Sequence, residues 1–105
     1  MFKWEIGRQN SGYHKLKLFS FYRADCYLLF YPINSFIQPH IDKVKGKHFR
    51  INLILRQAIK GGVFFCSNPI INWKRIKIFR ADISEHGLTN IEQGTRLVLS
   101  IGFIV

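Results

Sequence analysis

His40 and Asp42 stand two residues apart, and in an extended segment that spacing points both side chains to one face. The imidazole offers a neutral nitrogen and the carboxylate a hard oxygen. One further histidine completes a two-histidine, one-carboxylate set. Such a set covers one face of an octahedral ferrous ion and leaves positions open for a bidentate co-substrate and for O2. The remaining candidates are His14, His48 and His86. His86 is preferred because it follows the run IKIF (76–79) after a short polar connection and precedes a loop that returns into the last strand. Arg96 then lies ten positions on, inside that strand. Two antiparallel strands joined in this way put a metal ligand and an anion clamp into one cavity. A His-x-Asp pair alone is usually two surface polar groups; the distal histidine and the strand-borne arginine make the pattern specific.

The elements that must position these residues read as strands. Phe49, Ile51, Leu53 and Leu55 alternate with Arg50, Asn52, Ile54 and Arg56, close to a period of two. Leu97, Leu99, Ile101, Phe103 and Val105 alternate in the same way. KLKLFSFY (15–22) and CYLLFY (26–31) are rich in strand formers, and VFFC (63–66) and IKIF (76–79) are shorter strands. Residues 2–10 or 56–60 could form a single helical turn, and no stretch gives a convincing amphipathic helix. Gly46, Gly61-Gly62, Asn68-Pro69, Gly87 and Gly94 punctuate the runs as turns. Seven or eight short strands in one chain predict an all-β fold, with a double-stranded β-helix (jelly-roll, cupin-like) core.

At 105 residues the chain is long enough for one domain, expected over 1–105, and too short for two. It is 48% hydrophobic and 15% aromatic, which excludes a disordered chain. No apolar run reaches the roughly 18 residues of a membrane span, and the N-terminal stretch lacks the apolar core of a signal peptide. No membrane association and a cytoplasmic location are the expectation. Cys26 and Cys66 form no CxxC pair and read as small buried thiols. The net charge of +10 favours anionic partners, among them nucleic acid, acidic proteins and dicarboxylate metabolites.

Three segments carry a family resemblance: YPINSFIQPHID (31–42), GGVFF (61–65) and HGLTNIEQGTRLVLSIGF (86–103). In them the chain resembles the 2-oxoglutarate/Fe(II)-dependent dioxygenase superfamily, and most of all its prolyl-4-hydroxylase-like branch. The pattern is a tyrosine and polar turn, then Pro-His-x-Asp, Gly-Gly before a strand, a distal histidine, and Gly-x-Arg opening the last strand. Tyr31 lies nine residues before His40, and the likeness spans residues 27–104. The chain departs from the pattern at Asn34, where the family often has glycine, and at NWKR (72–75), which lacks the usual proline and glycine.

The resemblance implies that His40, Asp42 and His86 bind Fe(II) and form the catalytic centre. It implies that Arg96 pairs with the distal carboxylate of the co-substrate 2-oxoglutarate, and that Tyr31 hydrogen-bonds to it. A planar guanidinium fork suits a carboxylate, and a phenol adds a directed donor. The implied reaction is hydroxylation of a C–H bond, of a protein or peptide residue or of a small molecule, with release of succinate and CO2. A competing reading is oxidative demethylation of a nucleic-acid base; those demethylases often carry asparagine two residues before the tyrosine, where this chain has Leu29. A cupin-like protein could use the same ligands with another metal. A non-catalytic small basic β-barrel binding nucleic acid or a protein assembly would carry the His/Asp/His pattern by accident.

Around this set, Arg50 and Asn52 are candidates to line the cleft. Lys43, Lys45 and Lys47 read either as a basic lid or as a solvated loop. His48 is an alternative ligand, His14 is peripheral, and Trp73 either walls the substrate site or packs beneath a loop.

Overall fold

The computed structural model describes residues 4–6 and 12–105. Among them twelve strands form: β1 (Trp4–Ile6), β2 (His14–Phe21), β3 (Ala24–Tyr31), β4 (Ile37–His40), β5 (His48–Arg56), β6 (Lys60–Gly61), β7 (Phe64–Cys66), β8 (Ile71–Asn72), β9 (Ile76–Arg80), β10 (His86–Leu88), β11 (Ile91–Gln93) and β12 (Arg96–Ile104). The runs read as strands from their composition coincide with β2, β3, β5, β7, β9 and β12. The single turn of helix expected at 56–60 is instead the end of β5 and its link to β6. Of 2–10, residues 4–6 are β1 and most of the rest lies outside the described residues. No helix among the described residues is long and apolar enough to cross a membrane.

Every ladder is antiparallel. Seven strands make one sheet in the order β1-β2-β3-β12-β5-β9-β8; three make a second, β4-β10-β7, and two a third, β11-β6. The expected double-stranded β-helix does not form: these sheets are open, and no ladder among the described residues closes them into a barrel. The short strands explain why. Pro39 inside β4 has no N–H to donate, which confines that strand to an edge. Gly61 and Gly62, at φ 75° and 64°, bend the chain between β6 and β7, so neither can lengthen into a ladder with the large sheet.

Register decides which side chains share a face. Arg96 pairs with Tyr31, Val98 with Leu29, Ser100 with Tyr27 and Asn52, and Gly102 with Asp25 and Arg50. This face looks toward the small sheet. A cleft of about 280 Å3 lies between them, lined from the large sheet by Tyr27, Tyr31, Arg50, Asn52, Ser100 and Arg96, and from the small one by His40, His86 and Leu88. Tyr13, Tyr31 and Leu88 of its lining belong to the core cluster that also holds Ile54, Ile91 and Val98. Leu97, Leu99, Ile101 and Phe103, the alternating apolar set of β12, point the other way.

Gly87 lies in the middle strand of the small sheet. A Cβ there would sit 2.5 Å from Cζ of Phe65 and 2.6 Å from the carbonyl oxygen of Ile37. The backbone atom cannot yield without disturbing the β4–β10 ladder. Gly87→Ala is therefore expected to cost about 1–3 kcal/mol in urea denaturation. A variant as stable as the parent would contradict this packing.

Candidate metal centre

His40 ends β4 and His86 opens β10, directly opposite each other in register. The register shifts before the next pair, Leu88 with Ile37, so one strand carries an extra residue there. Bulges of this kind re-aim side chains beside functional sites. Asp42 lies two residues past His40, its backbone N–H donating to the carbonyl of Ala81 at 2.8 Å.

The carboxylate sits between the two imidazoles. Nε2 of His40 is 3.4 Å from Oδ1 of Asp42, and Nε2 of His86 is 3.3 Å from Oδ2. One donor atom from each of the three residues can be chosen so that all lie within 4.8 Å of one another. Metal–ligand bonds of about 2.0–2.2 Å place adjacent ligand atoms about 3 Å apart, so this arrangement fits one divalent ion with little movement. Each imidazole donates its other nitrogen to a carbonyl two residues earlier, His40 Nδ1 to Gln38 and His86 Nδ1 to Ser84, both at 2.8 Å. Those bonds fix the tautomer and turn both Nε2 lone pairs toward the position an ion would take. Burial pushes the Asp42 carboxyl up, but the two imidazoles beside it outweigh that and hold the group well below the usual carboxylate range. Asp42 is thus an anion. Phe79, 1% exposed, packs its ring 4.7 Å from that of His86 and closes one side.

Arg96 and Tyr31 line the same cleft from the large sheet. Arg96 is 3% exposed; it donates to the carbonyl of Gly62 at 3.4 Å, and its Nε has no partner. No carboxylate pairs with it among the described residues. Burial draws its pKa down and the nearby Tyr31 draws it up, yet a guanidinium keeps its charge at such a site. Burial, with Tyr13 adding to it, pushes the Tyr31 phenol up against the opposing pull of Arg96 and Arg50. Tyr31 is accordingly a neutral donor.

Arg50 and Asn52 do line the cleft. They belong to a network that sequence reasoning did not assemble. Arg50 donates to Ser100 Oγ at 2.8 Å and ion-pairs with Asp25, and Ser100 donates to Asn52 Oδ1 at 2.6 Å. Gly102 makes room for it, since a Cβ there would meet the Arg50 guanidinium at 2.7 Å. The signal was available: with Tyr31 and Arg96 facing inward, a period of two carries Tyr27, Asp25 and Ser100 inward as well. His48 is buried in the cleft wall 3.4 Å from Arg50, outside the metal cluster. His14 and Trp73 are exposed and do not line the cleft, and Lys43, Lys45 and Lys47 are exposed on the loop after Asp42.

No family model matches the sequence, and no curated protein matches it. Solved structures do. A chain in the crystal structure of Rhodobacter sphaeroides SigE in complex with the anti-sigma ChrR is similar at a TM-score of 0.58 and 19% identity, over 96% of this chain and 48% of that one. This chain thus spans about half the length of that relative. A sugar phosphate isomerase from a cupin superfamily, from Silicibacter pomeroyi, is similar at a TM-score of 0.53 and 12% identity, over 100% of this chain and 69% of that one. At these identities the likeness speaks to the fold alone.

A site of this geometry stabilises the folded chain when metal is added. At a hundred-fold excess over the dissociation constant, anaerobic Fe(II) or Mn(II) contributes about 2.7 kcal/mol, read as a rise in unfolding temperature that EDTA reverses. His40→Ala, Asp42→Ala and His86→Ala are each expected to lose most of that rise. A rise that persists in all three variants would place the metal elsewhere.

Proposed function

We propose that the chain is an Fe(II)- and 2-oxoglutarate-dependent oxygenase that hydroxylates a C–H bond, with a protein or peptide residue as substrate. The carrying observation is Arg96: a buried cation with no carboxylate partner among the described residues, in the same cleft as an anionic two-histidine, one-aspartate cluster. Leaving a guanidinium buried and unpaired is costly, and a carboxylate from solution offsets that cost. The cluster asks for a divalent cation and Arg96 for an anion. A keto diacid satisfies both, one end at the metal and the other on the guanidinium.

The chain's own residues would divide the work as follows. His40, Asp42 and His86 hold the ion. Arg96 forms the bidentate pair with the distal carboxylate, and the neutral Tyr31 phenol donates to the same group. Leu29, Phe64 and Leu88 would supply the apolar wall beside it. Iron held by these residues would supply the oxidising chemistry by which a substrate C–H bond, O2 and 2-oxoglutarate give the hydroxylated substrate, succinate and CO2. At about 280 Å3 the cleft is near the lower end of the usual range for ligand pockets. It has room for the co-substrate and one reactive group, which suits a single side chain presented by a peptide better than a flipped base.

The cleft's cations Lys15, Arg50 and Arg96 support a second reading, a metal-dependent isomerase whose substrate phosphate they would meet. The two readings separate by product. Succinate should form when the chain is given Fe(II), O2, 2-oxoglutarate and a pool of peptides, and His40→Ala should abolish it. Succinate formed only with alkylated oligonucleotides would move the substrate to nucleic acid, and isomerised sugar phosphate without succinate would overturn the oxygenase reading.

Arg96→Met gives a paired expectation. Removing an unpaired buried charge raises the stability of the ligand-free chain by about 1–2 kcal/mol. The same change weakens 2-oxoglutarate binding by about 2–5 kcal/mol in calorimetry, with metal affinity preserved. A variant that loses stability and keeps its keto-acid affinity would remove Arg96 from the site.

A further inference from the structure

The face of the large sheet turned away from the cleft is apolar across its strands, with Leu16, Phe19 and Phe21 of β2 and the buried Cys26 of β3 among its residues. By register its central positions are Leu28 and Phe30 on β3, Leu97, Leu99, Ile101 and Phe103 on β12, Phe49, Ile51 and Leu53 on β5, and Ile76 and Ile78 on β9. All are half-buried or exposed, Phe103 at 37%, and Trp4 extends the patch from β1 at 46%. The one charged side chain among the outward positions of β9 is Arg80, at the rim and paired with Asp82 at 2.6 Å.

We infer that this face is a homodimer interface, closed by a second copy of the same chain packed sheet on sheet. Area is the first argument. Strands β1, β2, β3, β12, β5 and β9 run three, eight, eight, nine, nine and five residues, and at about 3.4 Å rise and about 4.8 Å spacing they present roughly 690 Å2 in plane, and more once side-chain relief is counted. A stable interface takes about 800 Å2 from each partner, whereas the largest apolar patch on a monomer is usually about 300–600 Å2. Charge is the second argument. A chain of net charge +10 repels its own copy unless the surfaces that meet carry almost none of its sixteen Lys and Arg, and this face is such a surface. An acidic partner would be drawn to other parts of the molecule. Shape is the third: two sheets of the same twist pack face to face about 10 Å apart with interdigitating side chains, and a two-fold axis makes one patch its own complement. The cleft opens on the opposite side of the sheet, so dimerisation leaves the metal centre accessible. This inference does not depend on which reaction the centre performs.

Sedimentation equilibrium of the chain at tens of micromolar tests it. The parent is expected at about twice 12.4 kDa. Leu99→Lys and Ile51→Lys, at the centre of the face, should each give a monomer that keeps the β-sheet circular dichroism of the parent. Ile83→Lys, the same chemistry on an exposed turn residue off the face, should stay dimeric. A monomeric parent overturns the inference, as does a dimer that both central variants leave intact. Should both variants fail to fold, the parent decides by NMR. Leu99 and Ile51 methyls shielded from a soluble paramagnetic probe support the dimer; exposed methyls leave the face to a different protein and refute it.

Discussion

The centre depends on one ladder position, the pairing of His40 with His86 across β4 and β10. A strand that slips by one residue turns every side chain to the opposite face, so this register either brings the two imidazoles together or separates them. Several local devices keep it. Gly87 lets Phe65 and the Ile37 carbonyl close in from both sides. The bulge between the His86 and Leu88 pairs absorbs the mismatch on the β4 side, where Pro39 already prevents a regular ladder. Bonds from Nδ1 of each histidine to the backbone hold both rings in the coordinating tautomer. Asp42 then bridges them, its backbone tied to Ala81, the residue that follows β9.

The opposite wall of the cleft comes from the other sheet, where long-range pairing replaces local turns. Arg96 begins β12 and Tyr31 ends β3, and they are direct register partners. Neither is near the metal ligands on its own strand. They share a cleft with them because the small sheet lies over the inward face of the large one. The guanidinium, buried with its Nε unpartnered, shows what stability gives way to at this point. Ile54, Val63 and Phe64 line the same hollow as the guanidinium, so a buried charge there is a local conflict with the packing around it.

Much of this was legible in the sequence, for identifiable reasons. The His-x-Asp spacing and the ten-residue interval from His86 to Arg96 are short-range facts, and the long strands announce themselves by alternation. Closure was not legible. A jelly roll and a set of open sheets share their long strands, and they differ in whether two- and three-residue segments such as β6, β8 and β10 extend into longer ladders. Pro39 and the Gly61-Gly62 pair settle that, and both read equally well as ordinary turns. The facing of the sheet was also hidden. Apolar alternation in a strand is ordinarily the buried side, but here Leu97, Leu99, Ile101 and Phe103 lie outward, while Arg96, Ser100 and Gly102 face the cleft. The polar residues inside β12 carried that information, since a strand with an arginine and a serine in one phase has a second kind of interior to line.

The decisive observation joins the two sheets through one small molecule. The chain loaded with Fe(II) in the absence of oxygen should, on titration with 2-oxoglutarate, develop the weak visible charge-transfer band of a keto acid chelated to iron. The band should saturate at one keto acid per chain and vanish in Asp42→Ala. In Arg96→Met it should appear only at far higher 2-oxoglutarate concentration. A parent chain that binds iron but shows no band at saturating 2-oxoglutarate, or a band indifferent to both substitutions, would contradict the assignment.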